Sequence, residues 1–390
     1  MKKVIQLGLI NFLIIFLFCG CGKMQATVSV KDNLNFKVYS SVKLSDLVDI
    51  DDGFISADKE IFLNKIGDNK IEIDYQDYKK HKGKINVNIN VYDDTPPFLS
   101  MSNNIYKLVN TDFDLCNNAF YGDNYDRRAA CVVNGNYDKD TVGAYKLNLL
   151  VRDESGNETN KDFTLHIIKE FANSSNENST PVGLNFSEAK DKYKNDNTML
   201  GIDVSSFQGE VDWEKVKNAG VEFAIIRLGF GYTVNMELVL DKYFKENLEK
   251  AKSQGLKVGV YFYTYANTIE EIEQQAKFIS DNLNGETLDL GVTFDWENWN
   301  NFQDYQVSFY DLDNMYNNFS NFLKKSGYET MLYGSKFYLN NVWNTKNKSV
   351  WLAHYTNMTN YDKDYKIWQF SDKGIVDGIN GFVDLDVLYK

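Results

Sequence analysis

Histidine and cysteine are scarce, at three and four among 390 residues. They form no close cluster, which argues against a zinc site and for chemistry that needs neither a metal nor another cofactor. Proline occurs only three times; with the abundance of Asn, Lys, Ile and Tyr this reads as a compositional habit. Excess positive charge is also missing: the formal net charge is −13 and the pI about 4.9. Nucleic acid and other polyanionic partners are therefore poor candidates for electrostatic capture. What the chain does have is 43% hydrophobic and 15% aromatic residues, enough for sizeable cores. Its length suggests two or three domains.

Lys2 and Lys3 precede a mostly apolar run from Val4 to Phe18, interrupted by Gln6 and Asn11, and then Phe18-Cys19-Gly20-Cys21. A basic start, a short apolar stretch and small residues read as an export signal over residues 1–21. Its end resembles a bacterial lipobox with Cys21 as the acylated residue, although Phe18 stands where Leu is usual and Cys19 where a small residue is. An uncleaved anchor is the alternative, because Val4 to Gly22 is long enough to span a bilayer. Either way the chain is expected to be exported and held at the outer face of a bacterial membrane, facing the wall.

Two small all-β modules are expected over residues 22–95 and 96–170. Ile71-Glu72-Ile73-Asp74-Tyr75 and Ile85 to Val91 alternate apolar and polar residues, as strands with one buried face do. Asp93-Asp94-Thr95-Pro96-Pro97 separates them from a second unit, with strands at Ala144–Val151 and Phe163–Ile167 around the turn Asp153-Glu154-Ser155-Gly156-Asn157. Strand, turn and seam resemble the immunoglobulin-like repeats of bacterial surface proteins. In an exported chain Cys116 and Cys131 either pair, for about 3 kcal/mol in the chain-entropy model, or remain separate buried thiols. Residues 171–197, rich in Asn, Ser, Glu and Lys, read as a flexible linker.

From 198 to 390 the pattern changes to strands alternating with helices. Strands are expected at Met199–Ser205, Phe223–Leu228, Lys257–Tyr263, Gly291–Glu297, Thr330–Tyr333, Val350–Tyr355, Ile367–Phe370 and Phe382–Val387. Helices are expected at Trp213–Ala219 (capped by Asp212 and stopped by Gly220), Asp241–Ser253, Thr268–Leu283 and Tyr305–Ser326. Eight strands with shortened late connections indicate an α/β fold, a parallel β/α barrel whose catalytic groups belong at the C-terminal strand ends. Asp203, Asp295, Glu297 and Asp384 are all assigned there.

The stretch Gly291-Val292-Thr293-Phe294-Asp295-Trp296-Glu297 carries the chemistry. Residues two apart on a strand share a face, about 6–7 Å apart, so Asp295 and Glu297 face one way and Trp296 the other. Two acids crowded at an apolar strand end raise at least one pKa, as an acid catalyst working near neutrality needs. Tyr263, Tyr333, Trp351, Tyr355, Trp368 and Gln369 lie near the same ends, the aromatics suited to stack on sugar rings. Arg227, on an apolar strand, needs a partner if buried, which the acidic mouth is expected to supply.

Gly201-Ile202-Asp203-Val204-Ser205-Ser206-Phe207-Gln208-Gly209, Asp295-Trp296-Glu297, Ile367-Trp368-Gln369-Phe370 and Val383-Asp384-Leu385-Asp386-Val387, in this order, resemble the glycoside hydrolase family 25 muramidases. The resemblance covers residues 199–390. It implies metal-free hydrolysis of the β-1,4 bond from N-acetylmuramic acid to N-acetylglucosamine in peptidoglycan, with Glu297 as general acid, Asp295 as the charge-steadying carboxylate and Asp203 and Asp384 as outer acids. Asp386 departs from the Asn usual in the family, and an extra carboxylate facing the mouth would raise neighbouring pKa values. The rival readings are a wall-binding adhesin and a glycosidase for another acetamido polymer such as chitin.

Overall fold

The computed structural model describes residues 24–171, 182–231 and 237–390. The export signal and Cys21 lie outside the described residues, as does most of the first half of the expected linker. Among the described residues, no helix is long and apolar enough to cross a membrane. The chain divides into two compact units, Met1–Asp94 and Thr95–Lys390.

The described residues of the first unit are built from β-strands. Long antiparallel strands Gly67–Asp77 and Lys82–Tyr92 contain the two expected alternating segments and are flanked by Asn35–Lys37 and Gly53–Ile55. Their inward residues Ile73, Val87, Ile89 and Val91 are buried. This is the outcome the period-two pattern dictates.

The second unit holds the second β module and the barrel together. In the module, Gly143–Arg152 pairs antiparallel with Glu158–Ile168, with Asn104–Leu108 and Ala130–Asn134 outside them. Asp153 fixes the turn by accepting from the Asn157 backbone N–H at 2.7 Å. Cys116 and Cys131 are joined by a disulfide.

The expected linker is partly structured. Leu184–Asn185 pairs with a barrel strand, and helix α1 (Phe186–Tyr193) buries Phe186 and Ala189 in the barrel's outer core. The two apolar positions three apart supply a stripe that the polar composition concealed.

Eight strands close the barrel: β1 (Thr198–Val204), β2 (Phe223–Gly231), β3 (Lys257–Thr264), β4 (Val292–Asp295), β5 (Thr330–Ser335), β6 (Val350–Ala353), β7 (Ile367–Ile375) and β8 (Val383–Tyr389). β1 to β7 run parallel, but β8 is antiparallel to both β7 and β1, which corrects the all-parallel expectation. A connection of Val376 to Phe382 is too short for the crossover that a parallel return needs.

Helices α2 (Trp213–Ala219), α3 (Phe244–Ser253), α4 (Ile269–Leu283), α5 (Phe302–Tyr305), α6 (Phe309–Lys325) and α7 (Lys336–Asn341) cover the outside. The Asp212 carboxylate accepts from the Lys215 N–H and Gly220 ends α2 at φ 105°. Helix α3 begins at Phe244, not Asp241, and the segment expected to be helical from Tyr305 is interrupted before α6, where Ser308 and Asp311 form a capping box.

Alternation along the strands sorts the side chains into two cores. Phe223, Ile225, Met331, Trp351, Ile367 and Leu388 fill the barrel interior. Phe294, Trp296, Trp368 and Phe370 face the helices instead. Gly291, just before β4, has φ +74°, and a Cβ there would lie 2.3 Å from the Glu329 carbonyl oxygen. A side chain at this position would both strain the backbone and push β4 from β5.

Candidate active site

β4 ends at Asp295, so Glu297 stands in the turn beyond the strand rather than on it. The alternation nevertheless persists: Trp296 points outward, fully buried, and its indole N–H donates to the Ala266 carbonyl at 3.0 Å. That bond fixes the turn and leaves Asp295 and Glu297 both facing the mouth. Asp295 is 5% exposed, whereas Glu297 is open to solvent.

Burial raises the Asp295 carboxyl well above its ordinary range, and the Glu297 charge pushes it further, while Arg227 pulls the other way. Glu297 is raised too, chiefly because the surrounding protein strips hydration from it, although its hydrogen bond with Asp295 lowers it. Each carboxyl acts on the ionisation of the other, so the two titrate as a pair.

The second acid group is built across β1 and β8. Because β8 runs backwards, Asp384 reaches the mouth from the beginning of its strand, not the C-terminal end, and stands directly opposite Asp203. Burial, then the Asp372 and Glu297 charges, raise Asp384 to about 7. Burial and the charges of Asp384 and Asp386 hold Asp203 well above the ordinary carboxylate range.

Asp386 lies opposite Gly201 and Gln369, one layer deeper, and is fully buried. It faces neither the cleft nor solvent but the barrel interior, where it accepts from the Trp351 indole N–H at 2.8 Å. Burial raises its pKa strongly.

Gln369 links this group to the tyrosines. Its amide N–H donates to Asp203 Oδ2 at 2.7 Å, and its carbonyl accepts from the hydroxyls of Tyr333 at 2.9 Å and Tyr355 at 3.0 Å. The two phenols fix the amide's orientation, so its nitrogen must face Asp203.

Arg227 is buried, but its partner is Asp241 rather than the acids of the mouth. Both Nε and Nη2 lie 2.8 Å from Asp241 Oδ2, and Nη2 also donates to Ser206 Oγ at 2.8 Å. Asp241 had been assigned to a helix; its place is the loop before α3, where it also accepts from the Ser206 N–H at 3.0 Å. The guanidinium faces the rings of Phe207 and Phe230 at 5.0 and 5.3 Å.

These groups line a cleft of about 600 Å³, within the range of small-ligand sites. Asp203, Arg227, Tyr263, Asp295, Glu297, Tyr333, Trp351, Tyr355, Gln369 and Asp384 all line it, as assigned from the sequence. Trp368 does not: alternation turns it outward against Tyr193, its indole N–H donating to the His354 carbonyl at 2.9 Å. Tyr261, Tyr265 and Phe207, not singled out as binding groups, are also on the wall. Phe207, 85% exposed at the rim, was visible only as a member of the Gly201–Gly209 motif. Tyr261 could have been found from its same-face spacing to Tyr263.

Residues 202–379 match the model for glycosyl hydrolases family 25. The autolytic lysozyme of Clostridium acetobutylicum is 33% identical over 191 residues, covering 48% of this chain and 55% of that protein. The uncharacterized protein YegX of Escherichia coli O157:H7 is 29% identical over 195 residues, 49% of this chain and 69% of that protein. A solved bacterial lysozyme from Streptomyces coelicolor overlays with a TM-score of 0.43 at 26% identity, covering 49% of this chain and 92% of that one. The chain thus spans about half the length of the autolytic lysozyme. The match to glycosyl hydrolases family 25 falls on the barrel, over a span that holds Asp203, Asp295 and Glu297 and ends before Asp384.

Proposed function

We propose that the protein is a muramidase that cleaves the β-1,4 bond between N-acetylmuramic acid and N-acetylglucosamine in peptidoglycan. The observation that carries this reading is the arrangement of the Asp295–Glu297 pair: one carboxyl buried at the strand end and the next open at the mouth, both on the wall of a cleft that Asp203 and Asp384 also line. Glycoside cleavage needs a protonated carboxyl at the leaving oxygen and an anion facing the oxocarbenium-like centre.

Glu297, the member that touches solvent, donates its proton to the leaving oxygen as the glycosidic bond breaks. Asp295 beneath it faces the reacting sugar and orients the acetamido group, whose oxygen attacks the anomeric carbon. Water then opens that intermediate, giving a proton back to Glu297. Asp203 and Asp384, with Gln369, Tyr333 and Tyr355, hold the sugar from the opposite wall, while Tyr263 and Phe207 offer aromatic surfaces. The relative named an autolytic lysozyme supports the choice of substrate.

In this reading the protein works outside the cell, lipid-anchored through Cys21, and its two β modules are immunoglobulin-like. The test is digestion of purified peptidoglycan by the full chain, with the new reducing ends identified by mass spectrometry. Muramic-acid ends are expected. Glycan binding without cleavage would support the adhesin reading, and cleavage of chitin but not wall would change the substrate.

A further inference from the structure

The second β module packs directly on the barrel within the second unit. Phe120, from its strand Ala119–Gly122, enters an aromatic cluster on the barrel, with its ring 5.9 Å from Trp299, 5.5 Å from Phe302 and 5.1 Å from Tyr338. Gly122 lets the surfaces close: a Cβ there would lie 2.5 Å from the Phe309 ring and 2.8 Å from that of Phe302. Polar contacts surround the cluster. Gln303 Nε2 donates to the Tyr121 carbonyl at 2.6 Å, the Phe309 N–H to the Asp123 carbonyl at 2.8 Å, and Arg127 pairs with Asp311 at 2.8 Å.

The barrel segment it grips is the one that follows the acid. The Trp299 N–H donates to the Glu297 carbonyl at 2.7 Å, and the Trp299 ring lies 4.6 Å from Trp296 and stacks on Tyr338 at 3.9 Å. The Tyr338 hydroxyl in turn feels the Glu297 charge. Phe120 therefore packs on both rings that back the Glu297 turn.

We propose that this module is a positioning element of the catalytic centre, holding the Glu297 turn in place through Phe120. The proposal rests on Glu297 being the acid of the reading above. A turn outside a strand has no ladder to hold it, and rigid support within a few tenths of an ångström separates an effective site from a loose one. Loosening the turn draws Glu297 away from the cleft walls that strip part of its hydration, and so reduces the effect that raises its pKa. The groups facing it are Asp295, Asp384, Tyr263, Tyr333, Tyr338 and Tyr355; Arg227 acts on Asp295.

The test compares Phe120→Ala, Phe120→Leu and Gly122→Ala in the full chain, measuring kcat, KM and the pH profile on soluble wall fragments, with folding checked by circular dichroism. Phe120→Ala and Gly122→Ala are expected to lower kcat by about tenfold to a hundredfold, as misplacement of a catalytic group does. KM should stay as in the wild type, and the alkaline limb should move to lower pH. Phe120→Leu, which keeps most of the apolar volume, should restore most of kcat. Should Phe120→Ala not fold, Gly122→Ala decides, since its added methyl meets the barrel rings and its backbone is in an ordinary conformation. Wild-type kcat and an unmoved alkaline limb in the folded variants would overturn the positioning role alone. A wild-type chain that releases no reducing ends from any glycan would overturn both the role and the reading beneath it.

Discussion

The two acid groups at the mouth are built in opposite ways. Asp295 and Glu297 come from one strand end and differ in depth, one buried and one wet. Asp203, Asp384 and Asp386 come from two antiparallel strands; Asp203 is held by Gln369, which Tyr333 and Tyr355 orient, and Asp386 by the Trp351 indole, although its second oxygen is buried without a partner. A group that must move a proton to a substrate needs solvent and substrate access. A group that holds its shape is fixed by the bonds its members make to the residues around them. On the proposed reading the first group serves turnover and the second serves geometry.

The largest effect should therefore fall on the open acid. Glu297→Gln keeps the shape and removes the proton, so turnover should drop by roughly 10²–10⁴ while glycan still binds in a pull-down. Thermal stability should hold or rise slightly, because one of several crowded acids is gone. Normal release of muramic-acid ends would erase the difference between the two groups.

Asp295→Asn should lower kcat by about 10²–10³, the size of lost electrostatic stabilisation. It also removes the neighbour whose charge makes the pair's second proton hard to lose. The remaining carboxyl then loses its proton more readily, so the alkaline limb of residual activity should move to lower pH. A limb that stays in place would mean the two carboxyls do not titrate together.

Asp241→Ala tests the supporting frame instead of the chemistry. It leaves the Arg227 guanidinium buried without its ion, which should cost about 3–5 kcal/mol of stability, read as a lower midpoint in urea. An unchanged midpoint would show that the mouth acids take over as partners, as the strand pattern first suggested.

The smallest effect is expected deep in the second group. Asp386→Asn keeps an oxygen for the Trp351 N–H and removes a buried carboxyl whose folded pKa is raised above the ordinary 3.8. Such a group binds its proton more tightly folded than unfolded, so it weakens the fold as pH rises above 3.8. The variant should melt higher than wild type at pH 7, with the gain vanishing as pH falls to that value. It should also lower the pKa of Asp203, shifting the alkaline limb to lower pH if that residue controls it. Equal melting at pH 7 would mean that Asp386 is held no differently from a solvated acid.

Most of the site was legible because it depends on local periodicity. Alternation put Asp295 and Glu297 on one side of Trp296, and the same rule put Tyr333, Trp351 and Gln369 inside the barrel. Applied to β7, it also turns Trp368 outward, and only its closeness to the strand end had made it look like a wall residue. The strand and helix order of the barrel followed equally from pattern and caps. The polar stretch around α1 was misread because two buried apolar residues make too short a stripe against its charges.

Sequence by itself determined which residues alternate, which caps end the helices and which acids crowd together, because these are set by neighbours a few positions apart. Only the tertiary structure decided the direction of β8, the pairing of Arg227 with Asp241 and the docking of Phe120 behind the Glu297 turn. Period-two patterning is the same read forwards or backwards, so it cannot tell that Asp384 enters the mouth from the start of its strand. A buried charge announces that it needs a counterion but not which of many carboxylates closure of the barrel will bring within 2.8 Å. Those choices follow from where distant segments meet, and that is fixed by packing.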